Sequence, residues 1–193
     1  MPRLILASSS PRRVEVLRNA GFDFEIMPAR VDESARPGEA PVALAERLAR
    51  AKAKDVASRL APETDAAVLG ADTVVVSDEG ELLGKPSSPA DAVAMLEKLS
   101  ARPHDVITGV ALVSAGGSRA RVAHELTRVF FRALTREEIE GYVATGEPLD
   151  KAGAYAIQGG AGRFITRIEG CYFNVMGLPL SLVDCLLREW RSG

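Results

Sequence analysis

Short apolar runs alternate with capped amphipathic segments along this chain, and this alternation narrows the choice of fold more than any other feature. Residues 4–7 predict a buried strand, and residues 11–20 predict a helix with Ser10 at its N-cap. Strand and helix patterns then follow each other in the order β-α-β-α-β-β-α-β-β-α-β-α. The sequence therefore predicts an α/β protein of one domain over residues 1–193, with a mixed β-sheet flanked by helices.

The remaining elements are predicted from periodicity, caps and turns. Residues 78–81 indicate a hairpin turn, Ser88 caps a helix, and a capping box from Thr135 to Glu138 opens another. In chain order, the further predicted strands are 22–27, 66–77, 106–114, 122–131 and 165–168. The further predicted helices are 42–60, 89–99, 135–146 and 180–190.

Composition and charge argue against several classes of protein. The net charge is −2, which does not indicate a basic surface for nucleic acid, and no apolar run is long enough to cross a membrane. The only cysteines, Cys171 and Cys185, favour a reducing cytoplasm over a disulfide scaffold. Since His104 and His124 are the only histidines, a metal would be held by oxygen ligands, which points to Mg²⁺ or Mn²⁺. The oligomeric state stays open, a homodimer included.

The segment 146–159 combines residues that a simple connection does not need. Glu147, Asp150 and Lys151 are crowded between glycines, although turns require only residues such as Gly, Pro, Asn or Asp. Glycines let the backbone approach a ligand, and a fixed lysine suits phosphate. We interpret the segment as part of a phosphate-type site, and an ordinary glycine-rich connector is the alternative.

A second phosphate-type element lies at residues 8–13, where the first strand passes into the first helix. The N-terminus of a helix presents unpaired N–H groups and the positive end of the helix dipole, so phosphate binds there readily. Arg12 and Arg13 oppose that dipole, and a bound anion would account for their position. The alternative is a pair of solvated surface charges.

Two charged residues break otherwise apolar patterns. Lys52 lies on the helix face of Ala45, Leu48 and Val56, where it either extends to the edge or meets an anion. Asp72 lies in a buried-strand pattern, from which Asp is usually excluded. A satisfied structural carboxylate at the end of a strand is the alternative for Asp72.

Together these residues form the inventory of metal-assisted phosphate chemistry, in which carboxylates hold a hard cation and Lys and Arg bind phosphates. A Walker A pattern is absent, which excludes a P-loop NTPase. The candidate cations are Arg12, Arg13, Lys52, Lys85 and Lys151, and the candidate carboxylates are Glu33, Asp72, Glu147 and Asp150.

As a set, the motifs resemble those of the Maf family of nucleoside triphosphate pyrophosphatases. The matching motifs span nearly the whole chain: SSSPRR from Ser8, Asp32-Glu33, Ala51-Lys52-Ala53, GADTVV from Gly70, Gly84-Lys85-Pro86, residues 147–159, and Gly170 together with NVMGLP from Asn174.

The resemblance implies an elongated mixed α/β fold similar to that of inosine triphosphate pyrophosphatases, with a cleft between two lobes. It also implies metal-dependent hydrolysis of a nucleoside triphosphate to the monophosphate and pyrophosphate. By the same resemblance, Asp72 is the proton acceptor, and Arg12, Thr73 and Gln158 determine base preference. The implied phosphate and substrate residues are Ser8, Arg13, Lys52 and Lys85, and the implied metal-side carboxylates are Glu33 and Asp72.

The paired Arg12-Arg13, together with the late motif DKAGAY from Asp150, is similar to the branch acting on dTTP and UTP. Ala156 and Cys171 depart from that pattern, since Gly and Ser are common there. Two alternatives remain: the branch acting on 7-methyl-GTP, and a non-enzymatic nucleotide-binding regulator of cell division.

Overall fold

Within residues 3–192, the part of the chain that the computed structural model describes, seven strands form one mixed β-sheet. The strands are β1 (Arg3–Leu6), β2 (Glu25–Ile26), β3 (Ala66–Ser77), β4 (Leu82–Leu83), β5 (Pro103–Ser114), β6 (Ala120–Phe131) and β7 (Ile165–Glu169). Their order is β2-β1-β3-β5-β6-β7, and β4 pairs with β3. β1 is parallel to β2 and β3, whereas the β3–β4 and β6–β7 pairs are antiparallel. The predicted α/β class and mixed sheet are confirmed.

The helices follow the predicted order and, for the most part, the predicted caps. They are α1 (Pro11–Asn19), α2 (Pro41–Ala57), α3 (Pro89–Leu99), α4 (Arg136–Val143), α5 (Tyr172–Val175) and α6 (Leu180–Ser192). Ser88 caps α3 by accepting the Asp91 N–H, and the capping box of Thr135 and Glu138 opens α4. Short 3₁₀ turns occupy Ala115–Gly117, Glu147–Asp150, Ala152–Ala154 and Gly160–Phe164.

Apart from shifts of one to three residues at the ends of several elements, two local predictions differ from the structure. The strand expected over 22–27 is reduced to β2, whose two residues are exposed at the edge of the sheet and pair only with β1. Helix α5 was not predicted, because its four residues are too few to show a helical repeat. Both errors concern short elements in which local pattern is weak and tertiary contacts decide.

The chain divides into two compact units. The first comprises the described parts of residues 1–72, 108–125 and 177–193, and the second comprises residues 73–107 and 126–176. Among the helices of residues 3–192, none combines the length and apolar character that a membrane span requires.

Close packing of α2 on β3 organises the first unit. Ala49, Ala53 and Val56 of α2 lie in one buried cluster with Ile5 and Val68. A Cβ added at Gly70 would lie 2.2 Å from the Ala49 carbonyl oxygen and 2.8 Å from the Ala53 nitrogen. Only glycine therefore permits this approach of helix to strand.

An aromatic cluster, consisting of His104, Phe131, Tyr142, Tyr155 and Phe164, lies in the core of the second unit. Its rings meet edge to face, with centroids 5.0 Å apart for Phe131 and Tyr155 and 5.4 Å apart for Tyr142 and Phe164. This geometry is the one that ring quadrupoles favour. Tyr142 and Phe164 lie at the two ends of the segment 142–164, so the packing of the cluster holds the loops of that segment in place.

Candidate active site

Lys52 joins two carboxylates in the first unit, and we call Glu33, Lys52 and Asp72 the carboxylate–lysine cluster. Lys52 Nζ lies 2.6 Å from Asp72 Oδ1 and 2.7 Å from Glu33 Oε1. Lys52 is 9% exposed and Asp72 is 7% exposed, whereas Glu33 lies at the surface. A buried ammonium is costly unless it is paired. The lysine on the apolar face of α2 is thus explained by anionic partners within the protein.

The packing of α2 on β3 brings these residues together. Side chains two residues apart on a strand point to the same face, so Asp72 shares a face of β3 with Gly70. The helix residues Ala49 and Ala53 contact that face at Gly70. Lys52, next to Ala53 on α2, consequently reaches Asp72.

Arg13 is held beside this cluster by polar contacts with Gly177 and Ser8. Its Nε donates to the Gly177 carbonyl oxygen at 2.8 Å, and its Nη1 donates to Ser8 Oγ at 3.4 Å. Burial lowers the pKa of the Arg13 guanidinium; Asp72 opposes that shift, Arg12 adds to it, and Glu33 opposes it. Arg13 therefore lies within electrostatic reach of both carboxylates.

The balance of charge in this region is positive. Arg12 and Arg13 join Lys52 as cations, against the two carboxylates Glu33 and Asp72. The adjoining N-terminus of α1 has no side-chain cap from Ser10, and the first N–H groups of a helix have no intrahelical partners. A polyanion such as a triphosphate is attracted to such a region, although the net charge of the whole chain is −2.

The other predicted site residues lie in the second unit. Thr73 follows Asp72 on β3 and is half-buried. Lys85 is exposed in the turn after β4, and the preceding Gly84 carbonyl oxygen accepts the Gly153 N–H at 3.1 Å. This bond fixes the backbone that presents Lys85.

Gln158 is exposed in a turn of residues 156–160, which we call the Gln158 turn. The Gly159 N–H donates to the Ala156 carbonyl oxygen at 3.1 Å, so the turn is closed by its own backbone. The amide of Gln158 is thereby presented to solvent, where it can both donate and accept hydrogen bonds.

Glu147 and Lys151, expected as part of a phosphate-type site, form hydrogen bonds within their own loop in the structure. The Glu147 carboxylate accepts hydrogen bonds from the Tyr142 hydroxyl at 2.6 Å and from the Gly160 N–H at 3.1 Å. Lys151 Nζ donates to the Glu147 carbonyl oxygen at 2.7 Å and pairs with Asp150. These charges hold the loop together, because the glycine-rich backbone leaves polar groups that need internal partners.

The fit of a divalent metal can be judged from the donors present. Among the described residues, no group of three or more His, Cys, Asp or Glu side chains is arranged to hold a metal. Glu33 and Asp72 nevertheless direct oxygens at one cationic atom, Lys52 Nζ. Mg²⁺ commonly uses one or two carboxylates and takes its other ligands from phosphate and water. The pair fits an ion that binds together with a triphosphate.

Sequence reasoning missed two contributors. The Gly177 carbonyl oxygen anchors Arg13, and the Tyr142 hydroxyl contacts both Glu147 and the Ala156 N–H. Gly177 lies in a motif that was recognised but given no role. Tyr142 gave no signal, since an aromatic residue on an apolar helix face is ordinary core.

Comparison with known proteins identifies the family of this chain. The Maf-like protein family matches residues 3–190. A dTTP/UTP pyrophosphatase of Moorella thermoacetica is 56% identical over 187 residues, which are 97% of this chain and 94% of that protein. The dTTP/UTP pyrophosphatase of Symbiobacterium thermophilum is 55% identical over 98% of this chain and 95% of its own, and that of Pelotomaculum thermopropionicum is 50% identical over 98% and 97%. With its family motifs matched from the first strand to the last helix, this chain belongs to the Maf-like protein family.

Proposed function

We propose that the protein is a nucleoside triphosphate pyrophosphatase that hydrolyses dTTP and UTP to the monophosphate and pyrophosphate. The observation that carries the proposal is the carboxylate–lysine cluster, in which buried Asp72 shares Lys52 with Glu33 beside Arg13. Relatives named dTTP/UTP pyrophosphatase, 50–56% identical over nearly the full length, support the same substrates.

In the proposed reaction, some residues of the first unit transfer a proton and others neutralise phosphate charge. Asp72 accepts a proton from the attacking water, whose oxygen forms a bond to the α-phosphorus. The bond between that phosphorus and the bridging oxygen breaks, and pyrophosphate leaves with the electron pair. Lys52 and Arg13 neutralise phosphate oxygens, with Ser8 orienting Arg13. The family resemblance also implies a phosphate-binding role for Lys85.

A divalent cation, Mg²⁺ or Mn²⁺, is part of this proposal. Glu33 and Asp72 would hold it, and when bound it would neutralise phosphate charge and make water more acidic. Lys52 occupies the position between these carboxylates and keeps their oxygens close to one point.

Base preference is assigned to Arg12, Thr73 and Gln158. The amide of Gln158 matches the alternating acceptors and donor of uracil and thymine, because it offers both kinds of group. A glycine follows it in an exposed turn, so a base can approach closely. Gln158→Glu replaces the amide donor with an acceptor, and we expect it to reduce pyrimidine preference more than phosphate binding.

A panel of nucleoside triphosphates, including 7-methyl-GTP, tests the proposal with Mg²⁺ present. We expect dTTP and UTP to give the highest kcat/KM, with monophosphate and pyrophosphate as products. A purine triphosphate as the best substrate would contradict the base preference, and diphosphate with orthophosphate would contradict the site of cleavage. Binding without turnover of any nucleotide would favour a regulator.

Asp72→Asn tests the assigned proton acceptor. Its turnover should fall by roughly 10²-fold or more, the size of a general-base contribution. Asp105→Asn is the matched control, because Asp105 lies on β5 and pairs with Arg128 at 2.9 Å. Near-normal turnover in folded Asp72→Asn protein would remove the assignment.

A cytoplasmic setting completes the proposal. Both cysteines, Cys171 and Cys185, are free thiols in the structure, as in proteins of reducing compartments.

A further inference from the structure

The Gln158 turn is held at both ends by one pair of side chains. Two residues before Gln158, the Ala156 N–H donates to the Tyr142 hydroxyl oxygen at 3.2 Å. Two residues after it, the Gly160 N–H donates to both oxygens of Glu147 at 3.1 and 3.2 Å. The Tyr142 hydroxyl donates in turn to Glu147 Oε1 at 2.6 Å. The two anchors are therefore one continuous hydrogen-bonded unit.

The anchors themselves are held by packing and by hydrogen bonds. Tyr142 is 2% exposed, and its ring packs edge to face on Phe164 with centroids 5.4 Å apart. The backbone of Glu147 is fixed separately, since Lys151 Nζ donates to its carbonyl oxygen at 2.7 Å. A side chain held by packing and by several hydrogen bonds defines the position of the group that it contacts.

The backbone of the turn fits closely against these anchors. A Cβ added at Gly159 would lie 2.2 Å from Glu147 Oε1, and one at Gly160 would lie 3.2 Å from the Tyr142 ring. The two glycines thus permit contact between the turn and the anchors. These contacts are additional to the closure of the turn itself, in which the Gly159 N–H bonds to the Ala156 carbonyl oxygen.

We propose that Tyr142 and Glu147 are positioning residues for base selection, which act by fixing the backbone on both sides of Gln158. The inference rests on the proposed function, in which the Gln158 amide reads the pyrimidine. A hydrogen bond weakens steeply when distance or angle departs from ideal. A mobile Gln158 turn would accordingly lower discrimination between bases while the groups that bind phosphate stay in place.

The test is a double-mutant cycle read out as base preference, the ratio of kcat/KM for dTTP to kcat/KM for dATP. Tyr142→Phe removes the hydroxyl and keeps the ring, and Gln158→Ala removes the amide. We expect Tyr142→Phe to lower the preference at least about fivefold, the effect of one neutral hydrogen bond. In a Gln158→Ala background, the same substitution should change the preference less than twofold, because the group that it positions is gone.

Glu147 gives an independent arm if Tyr142→Phe folds poorly. Glu147→Ala removes both acceptors and should lower the preference as Tyr142→Phe does. Glu147→Gln keeps one carbonyl acceptor and should restore much of it. Hydrogen exchange at the Ala156 and Gly160 amides should be faster in Tyr142→Phe and Glu147→Ala than in the wild type, whether or not substrate is present.

Tyr155→Phe is the matched control. It also removes a buried tyrosine hydroxyl from the aromatic cluster, but that hydroxyl lies 2.8 Å from His104 Nε2 and not on the Gln158 turn. We expect it to lower stability and to leave base preference unchanged.

The outcomes separate the inference from the proposed function. If Gln158→Ala keeps the pyrimidine preference, the role of Gln158 in the proposed function fails and the inference fails with it. If Gln158→Ala loses the preference while Tyr142→Phe and Glu147→Ala keep it, the inference alone is overturned. Additive effects in the double variant would also overturn it, since the residues would then act independently.

Discussion

At the scale of single residues, the carboxylate–lysine cluster pairs two buried charges, and the same atoms are those assigned to the proposed reaction. Lys52 is buried on α2 and needs an anion, and Asp72 is buried on β3 and needs a cation. Their pairing allows both charges to remain inside the protein. In the proposed reaction, the same pairing places the Asp72 carboxylate and the Lys52 ammonium side by side for phosphate chemistry.

Lys52→Met tests this pairing, because it replaces the ammonium with a flexible apolar side chain. Because Asp72 would be left buried without its ammonium, we expect the free energy of unfolding to fall by about 3 kcal/mol. Denaturant unfolding measures the change.

The double variant Lys52→Met/Asp72→Asn supplies the control. Since it leaves no buried charge, it should recover part of the lost stability, and an additive loss would contradict the pairing. Turnover should fall in Lys52→Met, in Asp72→Asn and in the double variant.

The buried His104 predicts a specific pH dependence of stability. Burial lowers the pKa of its imidazole to about 4, and the ring is 1% exposed. The unfolded chain, with an ordinary histidine pKa near 6.5, takes up a proton first as the pH falls. The stabilisation is therefore complete above about pH 6.5 and is lost as the pH drops towards 4.

We expect this effect to remove about 2 kcal/mol of unfolding free energy between pH 7 and pH 5. Unfolding by urea at both pH values measures it in the wild type and in His104→Gln, whose side chain does not titrate. His124→Gln is the control, because His124 is exposed and lies outside the aromatic cluster. An equal pH effect in the wild type and in His104→Gln would refute the assignment.

At the scale of elements, the contact between α2 and β3 determines whether the cluster can form. It depends on Gly70, since any Cβ there would overlap the backbone of α2 at Ala49 and Ala53. The helix would have to move away from the strand, and Lys52 would move with it. The position of Lys52 in the cluster thus depends on the absence of a side chain at Gly70.

Gly70→Ala should lower the free energy of unfolding by roughly 1–3 kcal/mol, the usual cost of overpacking a core, and should reduce turnover. The control is Gly141→Ala in α4, where an added Cβ meets no atom within 4 Å. Because alanine is the better helix former by about 1 kcal/mol, the control should be as stable as the wild type or more so. Melting temperature and kcat report both effects, and a Gly70→Ala protein with wild-type values would contradict this account.

At the scale of the whole molecule, the charge balance favours a local site over a general polyanion surface. The chain carries a net charge of −2, but Arg12, Arg13 and Lys52 exceed their neighbouring carboxylates in number. The protein itself also holds Glu33 and Asp72 together through Lys52. We therefore expect the fold to be independent of the metal and the reaction to depend on it.

Metal removal tests whether the reaction, but not the fold, depends on the metal. EDTA should abolish hydrolysis of dTTP while leaving the melting temperature within error, and added Mg²⁺ should restore activity. A hydrolysis-resistant dTTP analogue with Mg²⁺, at 100 times its dissociation constant, should stabilise the fold by about 2.7 kcal/mol. A large loss of stability in EDTA alone would mean that the metal is structural.

Much of the fold followed from local sequence. The strand at residues 66–77, the Ser88 cap and the capping box of α4 are where they were predicted. The strand is a nearly continuous apolar run that is buried almost throughout, and the two caps depend on hydrogen bonds within one helical turn. The edge strand β2 was predicted too long and the short helix α5 was missed, because too few residues carry their pattern.

Sequence by itself determined the residue types of the site, because Lys52 and Asp72 contradict the apolar patterns around them. Tertiary structure decided which groups meet. That Lys52 contacts Asp72 and Glu33, and that Glu147 supports the Gln158 turn, depends on pairs separated by 13–20 residues. Periodicity describes only which face of an element is buried. Packing determines which residue lies across that face. Here it depends on Gly70 of β3 and Tyr142 of α4.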